Sequence, residues 1–149
     1  FFAPEIFQQV EIGDPMKAKQ LKLGLAQLGE EGAIQVFRPH HGGALLLGAV
    51  GQLQFEVVAH RLQHEYSVPA RMVASKFRLA RWVTCDDPKE LARFIEANGH
   101  RVAYDAVDAP TFLATANAEL TVTQELWPKV RFHALREHAG LVFQQRLDG

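Results

Sequence analysis

The feature that most constrains what this chain can fold into is the order in which its hydrophobic period changes along the sequence. From Glu5 to Ile12 apolar and polar residues alternate, with Ile6, Val10 and Ile12 on one side, which predicts a half-buried strand ending at Gly13. Asp14 then offers an N-cap oxygen, and Pro15 stands where its missing N–H does no harm. A helix should therefore start here and run to about Gly29, with Leu21, Leu25 and Leu28 on one face. Gly32 suits a left-handed helix end, Ala33 to Phe37 reads as a second strand, and Pro39 to Gly43 reads as a turn. Ala44 to Val50 is a continuous apolar run with the length of a buried central strand. Gly51 hands over to a helix from about Gln52 to Tyr66, and Val68 to about Val73 returns as a fourth strand.

Strand, helix, strand, strand, helix, strand is the split βαβ or ferredoxin-like arrangement, with two helices on one face of a four-stranded antiparallel sheet. The pattern then repeats. Leu79 to Cys85 reads as a strand, and Asp87, Pro88 and Glu90 supply the N-cap, first-turn proline and capping carboxylate of a helix carrying Leu91, Phe94 and Ile95. Gly99 closes it, and Val102 to Tyr104 and Thr111 to Ala116 follow as short strands. Asn117 to Trp127 is read as a helix ended before Pro128, although Leu120, Val122 and the threonines also permit a strand. Val130 to Leu135 would be the last strand. The expected fold class is α+β, two tandem βαββαβ halves with antiparallel sheets: residues 1–78, residues 79–138, and a C-terminal tail at 139–149.

Charge excludes one mode of action and leaves another open. Sixteen Lys plus Arg against 17 Asp plus Glu give a net charge of −1, which argues against nucleic-acid binding by bulk electrostatics. The distribution is uneven. From Pro15 to Gly29 the only charges are Lys17, Lys19 and Lys22, and from Tyr66 to Cys85 they are Arg71, Lys76, Arg78 and Arg81. These acid-free stretches suit either a solvated face with a cation-blunted edge strand, or contact with RNA or an acidic partner. Cys85 is the sole cysteine, so neither an internal disulfide nor a thiolate metal cluster is available, and a reducing cytoplasm is the default expectation. No stretch approaches the roughly 18 apolar residues of a membrane span, so no membrane partner is expected. The start at Phe1 and Phe2, without an initiator Met, reads as a domain excised from a longer protein.

Motifs that carry chemistry are scarce. No phosphate-cradling glycine loop, HExxH or GxSxG element is present, which argues against an enzyme, and no cofactor or metal is expected in this chain. Cys85 and Ser75 have no base at a recognisable spacing and read as packed or turn residues. The acidic pairs Glu30, Glu31 and Asp86, Asp87 lie at helix ends and read as caps. His133, Arg136 and His138 form a basic cluster suited to a solvated strand end or to phosphate. On the second helix, Phe55, Val58, Ala59, Leu62 and Tyr66 make the apolar face for the sheet, while Leu53 and Val57 project on the opposite side beside His60 and His64. Two histidines at i and i+4 could grip a metal, but no third ligand is evident. That side is expected to be a contact surface, covered by residues after Leu79, by further domains, or by a larger assembly.

The stretch GAVGQLQFEVVAHRLQHEY, Gly48 to Tyr66, resembles the strand-to-helix signature of the domain that follows the GTPase and barrel domains in translational GTPases such as elongation factor G. More closely, FAPEIF (Phe2 to Phe7), DPMKAKQLKLGLAQLGEEGAIQVFRP (Asp14 to Pro39), ARW (Ala80 to Trp82) and WPKVRFHALREH (Trp127 to His138) resemble the C-terminal domain, domain III, of the bacterial peptide chain release factor 3 family. Gln54 stands where elongation factor G usually has His. The resemblance implies a non-catalytic, cytoplasmic, ribosome-contacting domain. Its parent would be a GTPase, with GTP held in an upstream domain, that promotes departure of class I release factors after termination. Implied partners are the small subunit, through ribosomal RNA and protein, and the upstream GTPase and barrel domains. Within that reading Lys19, Lys22, Arg71, Lys76, Arg78 and Arg81 are the expected RNA contacts, and Leu53, Val57, His60 and His64 the expected contacts between halves or domains. The alternatives are a ferredoxin-like regulatory domain for a small molecule, supported by the glycine-rich turn, a domain of another translational GTPase, and an RNA-recognition module. The last is weakened because Ala44 to Val50 lacks stacking aromatics.

Overall fold

The computed structural model describes residues 3–135. Eight strands and four helices follow one another as β1 (Ile6–Ile12), α1 (Ala18–Glu30), β2 (Gln35–Pro39), β3 (Leu46–Ala49), α2 (Gln52–Tyr66), β4 (Ala70–Ala74), β5 (Leu79–Thr84), α3 (Pro88–Ala97), β6 (Val102–Tyr104), β7 (Pro110–Ala114), α4 (Asn117–Leu126) and β8 (Arg131–His133). The order is βαββαβ twice. Asp14 caps as its position suggests, its Oδ1 accepting from the Met16 N–H at 3.0 Å, but the turn it opens, Pro15–Lys17, is 3-10 and becomes α-helical only at Ala18. Asp87 does the same for α3 through the Lys89 N–H. Gly32 follows α1 with φ +78, the left-handed conformation expected of it.

All strand pairs are antiparallel, and the eight form one sheet in the order β4-β1-β3-β2-β6-β7-β5-β8. Each half keeps the ferredoxin-like order, and the halves join edge to edge through β2 and β6, with Arg38 opposite Tyr104 and Pro39 opposite Ala103. Residues opposite each other in an antiparallel pair point to the same face. Arg38 shares its face with Val36, which packs under α1 and α2, and Tyr104 shares its face with Val102, which packs under α3 and α4. All four helices therefore lie on one side of the continuous sheet.

Three cores result. Leu21, Leu25, Leu28, Phe55, Val58 and Leu62 bury the first pair of helices against their half-sheet, and Phe94, Phe112 and Leu120 centre the second. The helices of the first half approach closely enough that a Cβ at Gly24 would meet Leu62 Cδ2 at 2.9 Å. The third core lies on the helix-free face: Phe7, Phe37 and Leu46 from the first half, Phe77 from the connection, and Ala80, Ala103 and Leu113 from the second. Phe37, Ala80 and Ala103 are fully buried there with no described helix above them, in a cluster that brings side chains of β1, β2 and β3 together with those of β5, β6 and β7. An Ala3 N–H bond to the Ala134 carbonyl, 2.9 Å, ties the arm before β1 to the residue after β8. Among the described residues no helix is long and apolar enough to cross a membrane.

Candidate functional site

Six cations are expected as RNA contacts, and the structure sorts them into four kinds. Lys19 and Lys22 stand exposed on α1, one turn apart, with no ion-pair partner among the described residues. Arg71, on edge strand β4, is neutralised by Glu11 across the β1–β4 pair at 2.9 Å. Lys76 lies with its ammonium 5.4 Å from the Phe77 ring centre and near enough to Glu119 to help lower that carboxyl's pKa. Arg78 and Arg81 are held by main-chain oxygens. The Arg78 guanidinium donates to the Ser75 and Phe77 carbonyls at 2.7 and 3.1 Å, and Arg81 donates to the Ala80 carbonyl at 2.7 Å. These two line one groove of about 570 Å³ between the halves, together with Pro4, Glu5 and Val50 from the first half and Asn117 from the second.

The α2 stripe corrects an expectation. Leu53 and Val57 are 68% and 44% exposed, and His60 and His64 are exposed with their ring centres 4.2 Å apart and tilted by 41°, so described residues of the second half leave this side uncovered. The physical reason is the seam. The halves meet through β2–β6 pairing and the face opposite the helices, which leaves this side of α2 out of the contact between described residues of the two halves.

The other candidates resolve into structural roles. Cys85 is buried in the second core, and the Ser75 hydroxyl accepts from the Phe77 N–H at 3.3 Å. Asp86 pairs with Arg131, and Glu31 pairs with Arg61, whose hydrogen bond holds the Glu31 carboxyl below its ordinary pKa. His133 shares a 2.8 Å hydrogen bond with the Thr84 hydroxyl, while Arg136 and His138 lie outside the described residues. No group of three metal-ligating side chains comes together among the described residues. Gln54 closes the start of α2, where its Oε1 accepts from the Val50 and Gly51 N–H groups at 2.9 and 3.1 Å and its amide donates to the Ala33 carbonyl.

The sequence model of the family described as "Class II release factor RF3, C-terminal domain" matches residues 1–124. The chain belongs to this family. Relatives named peptide chain release factor 3 are 72% identical over 144 residues in Nitrosomonas eutropha, covering 97% of this chain and 27% of the relative. In Bordetella pertussis the figures are 65% over 144 residues, 96% and 27%, and in Bordetella avium 62% over 148 residues, 99% and 28%. The chain thus spans about a quarter of the length of these relatives.

Within this release factor 3 domain, the residues that sequence reasoning missed lie on the seam. Arg38 bonds Asp108 at 2.8 Å and stacks over Tyr104 at 5.0 Å; the Tyr104 hydroxyl meets His40 Nδ1 at 2.7 Å. Burial pushes the Tyr104 hydroxyl pKa up, with Arg38 opposing. His41 lies against Gly99, where a Cβ would come within 2.5 Å of its Nε2. The glycine-rich turn, with Gly42 and Gly43 at φ +84 and +93, thus folds two histidines of the first half onto the second. Behind the seam, Asp105 is buried and accepts from the Trp82 indole and from the Val107 and Ala109 N–H groups. No local pattern announces these contacts, because they depend on a register between strands far apart in sequence.

Proposed function

We propose that this chain is the non-catalytic ribosome-contacting domain of a release factor 3, cytoplasmic like the machinery it serves. The parent is a GTPase that holds GTP upstream of these residues and promotes departure of class I release factors after termination. The domain touches the small subunit, through ribosomal RNA and protein, and couples the parent's nucleotide state to ribosome conformation. The carrying observation, beside family membership, is the Lys19 and Lys22 pair: exposed, adjacent on a helix, and without a described carboxylate partner. Such a pair can reach a phosphate backbone together. Leu53, Val57, His60 and His64, exposed on α2, supply a face for the upstream GTPase and barrel domains.

The test is charge reversal in the full-length parent. Lys19→Glu/Lys22→Glu should weaken ribosome association most at low salt, where counterion release contributes most to the wild type, and should slow class I factor departure. Nucleotide affinity should stay at wild type. Wild-type ribosome affinity and departure rate at low salt would make these lysines a solvated face only.

A further inference from the structure

We propose that the groove between the halves lined by Arg78 and Arg81 is a second, separate RNA-backbone site, in which two guanidinium groups clamp phosphates; the inference rests on the ribosome-contact reading above. Three observations carry it. First, neither arginine forms an ion pair with a described carboxylate, although eight ion pairs occupy other charged residues of the described chain. Second, both are anchored at Nη1 by main-chain carbonyls, at 2.7 to 3.1 Å. That fixes the planar groups and leaves further N–H donors for an acceptor from outside. A pre-oriented guanidinium fork matches phosphate oxygens bidentately, which a lysine point charge does not. Third, the groove is roomy, about 570 Å³, and only one of the described residues lining it, Glu5, is acidic.

The groove is also built from both halves, since Pro4, Glu5 and Val50 face Arg78, Arg81, Ala116 and Asn117 across it. Its occupant would touch both halves at once, at the end of the molecule where the Ala3–Ala134 bond draws the chain together. Ordinary protein surface pairs its cations or lets them move in water; here two are immobilised and left unneutralised. Carboxylates of an acidic protein segment also bind guanidinium forks bidentately. The phosphodiester backbone is the occupant proposed because it carries an anion at every nucleotide along its length and because the ribosome-contact reading already places RNA against this domain.

The experiment uses the full-length parent and ribosomes. Arg78→Gln/Arg81→Gln should weaken binding and reduce the slope of log affinity against log salt by about 2, roughly 1 for each phosphate no longer neutralised. Arg78→Lys/Arg81→Lys, which keeps the charge, should retain most of the slope yet still bind more weakly than wild type. A photoreactive residue in place of Asn117 should give ribonuclease-sensitive adducts. An unchanged slope in the glutamine variant, full rescue by lysine, or adducts to protein alone would each overturn the proposal. Should the wild-type parent itself fail to bind ribosomes, the broader functional reading falls; should only the arginine variants behave as wild type while Lys19→Glu/Lys22→Glu is defective, this inference alone falls.

Discussion

Gly48 and Gly51 frame the turn into α2 and do different work. A Cβ at Gly48 would lie 2.5 Å from Pro4 Cγ and 3.2 Å from Phe37 Cε2, both on parts of the molecule with little room to shift. At Gly51 the backbone is extended, φ −144 and ψ 151, and nothing lies within 4 Å of the missing Cβ. Gly48→Ala should destabilise the fold by about 3 kcal/mol, the upper range for forcing a methyl into a packed site. Gly51→Ala should cost about 1 kcal/mol or less, the loss of glycine at an N-cap. Urea unfolding of both variants measures the difference, and equal losses would contradict these distinct roles. A glycine in a strand-to-helix turn serves either close backbone approach or a sharp turn. Only Gly48 has that need, because the atoms that enforce it belong to Pro4 and Phe37, which no local pattern brings to its side.

At the scale of elements, helix starts were the most legible feature. The Asp14-Pro15 and Asp87-Pro88 pairs both cap as their side chains dictate, because an N-cap acts over two or three residues. The segment from Asn117 was ambiguous for a matching reason: its threonines and Leu120 suit either element. The structure makes it helical, burying Leu120 and Thr123 and bending Glu119 back to accept from both the Thr115 N–H and hydroxyl, each at 2.7 Å. Those hydrogen bonds, the main-chain one foremost, hold the Glu119 carboxyl below its ordinary value of 4.5, with Arg101 and Lys76 adding to the effect. A depressed folded pKa contributes stability that is present above about 4.5 and is lost as pH falls through the lower folded value. Thermal melts from pH 7 down to about pH 3 should therefore show wild type and Glu119→Gln converging as acid is added, with wild type the more stable at neutral pH. Parallel curves across that range would show that Glu119 carries no such linkage.

For the whole molecule, the βαββαβ order of each half followed from period changes and turn residues, but the way the halves join did not. Edge pairing of β2 with β6 and the shared core of Phe37, Ala80 and Leu113 depend on non-local register, and so the α2 face expected to meet the second half stands open instead. The candidate site was legible as a set of cations and not as an arrangement. Sequence named Arg78 and Arg81 alongside Arg71, and folding separated a carbonyl-anchored pair in a groove from an arginine already neutralised by Glu11. The described residues offer buried cores and unneutralised cations on two separate surfaces, and the role proposed from them is contact. The most direct measurement of that claim is the rate of class I release factor departure driven by a parent truncated just before Phe1. Nucleotide binding should stay close to that of the full-length protein while the stimulated departure is lost. Departure at the full-length rate without these residues would contradict a contact role for the domain.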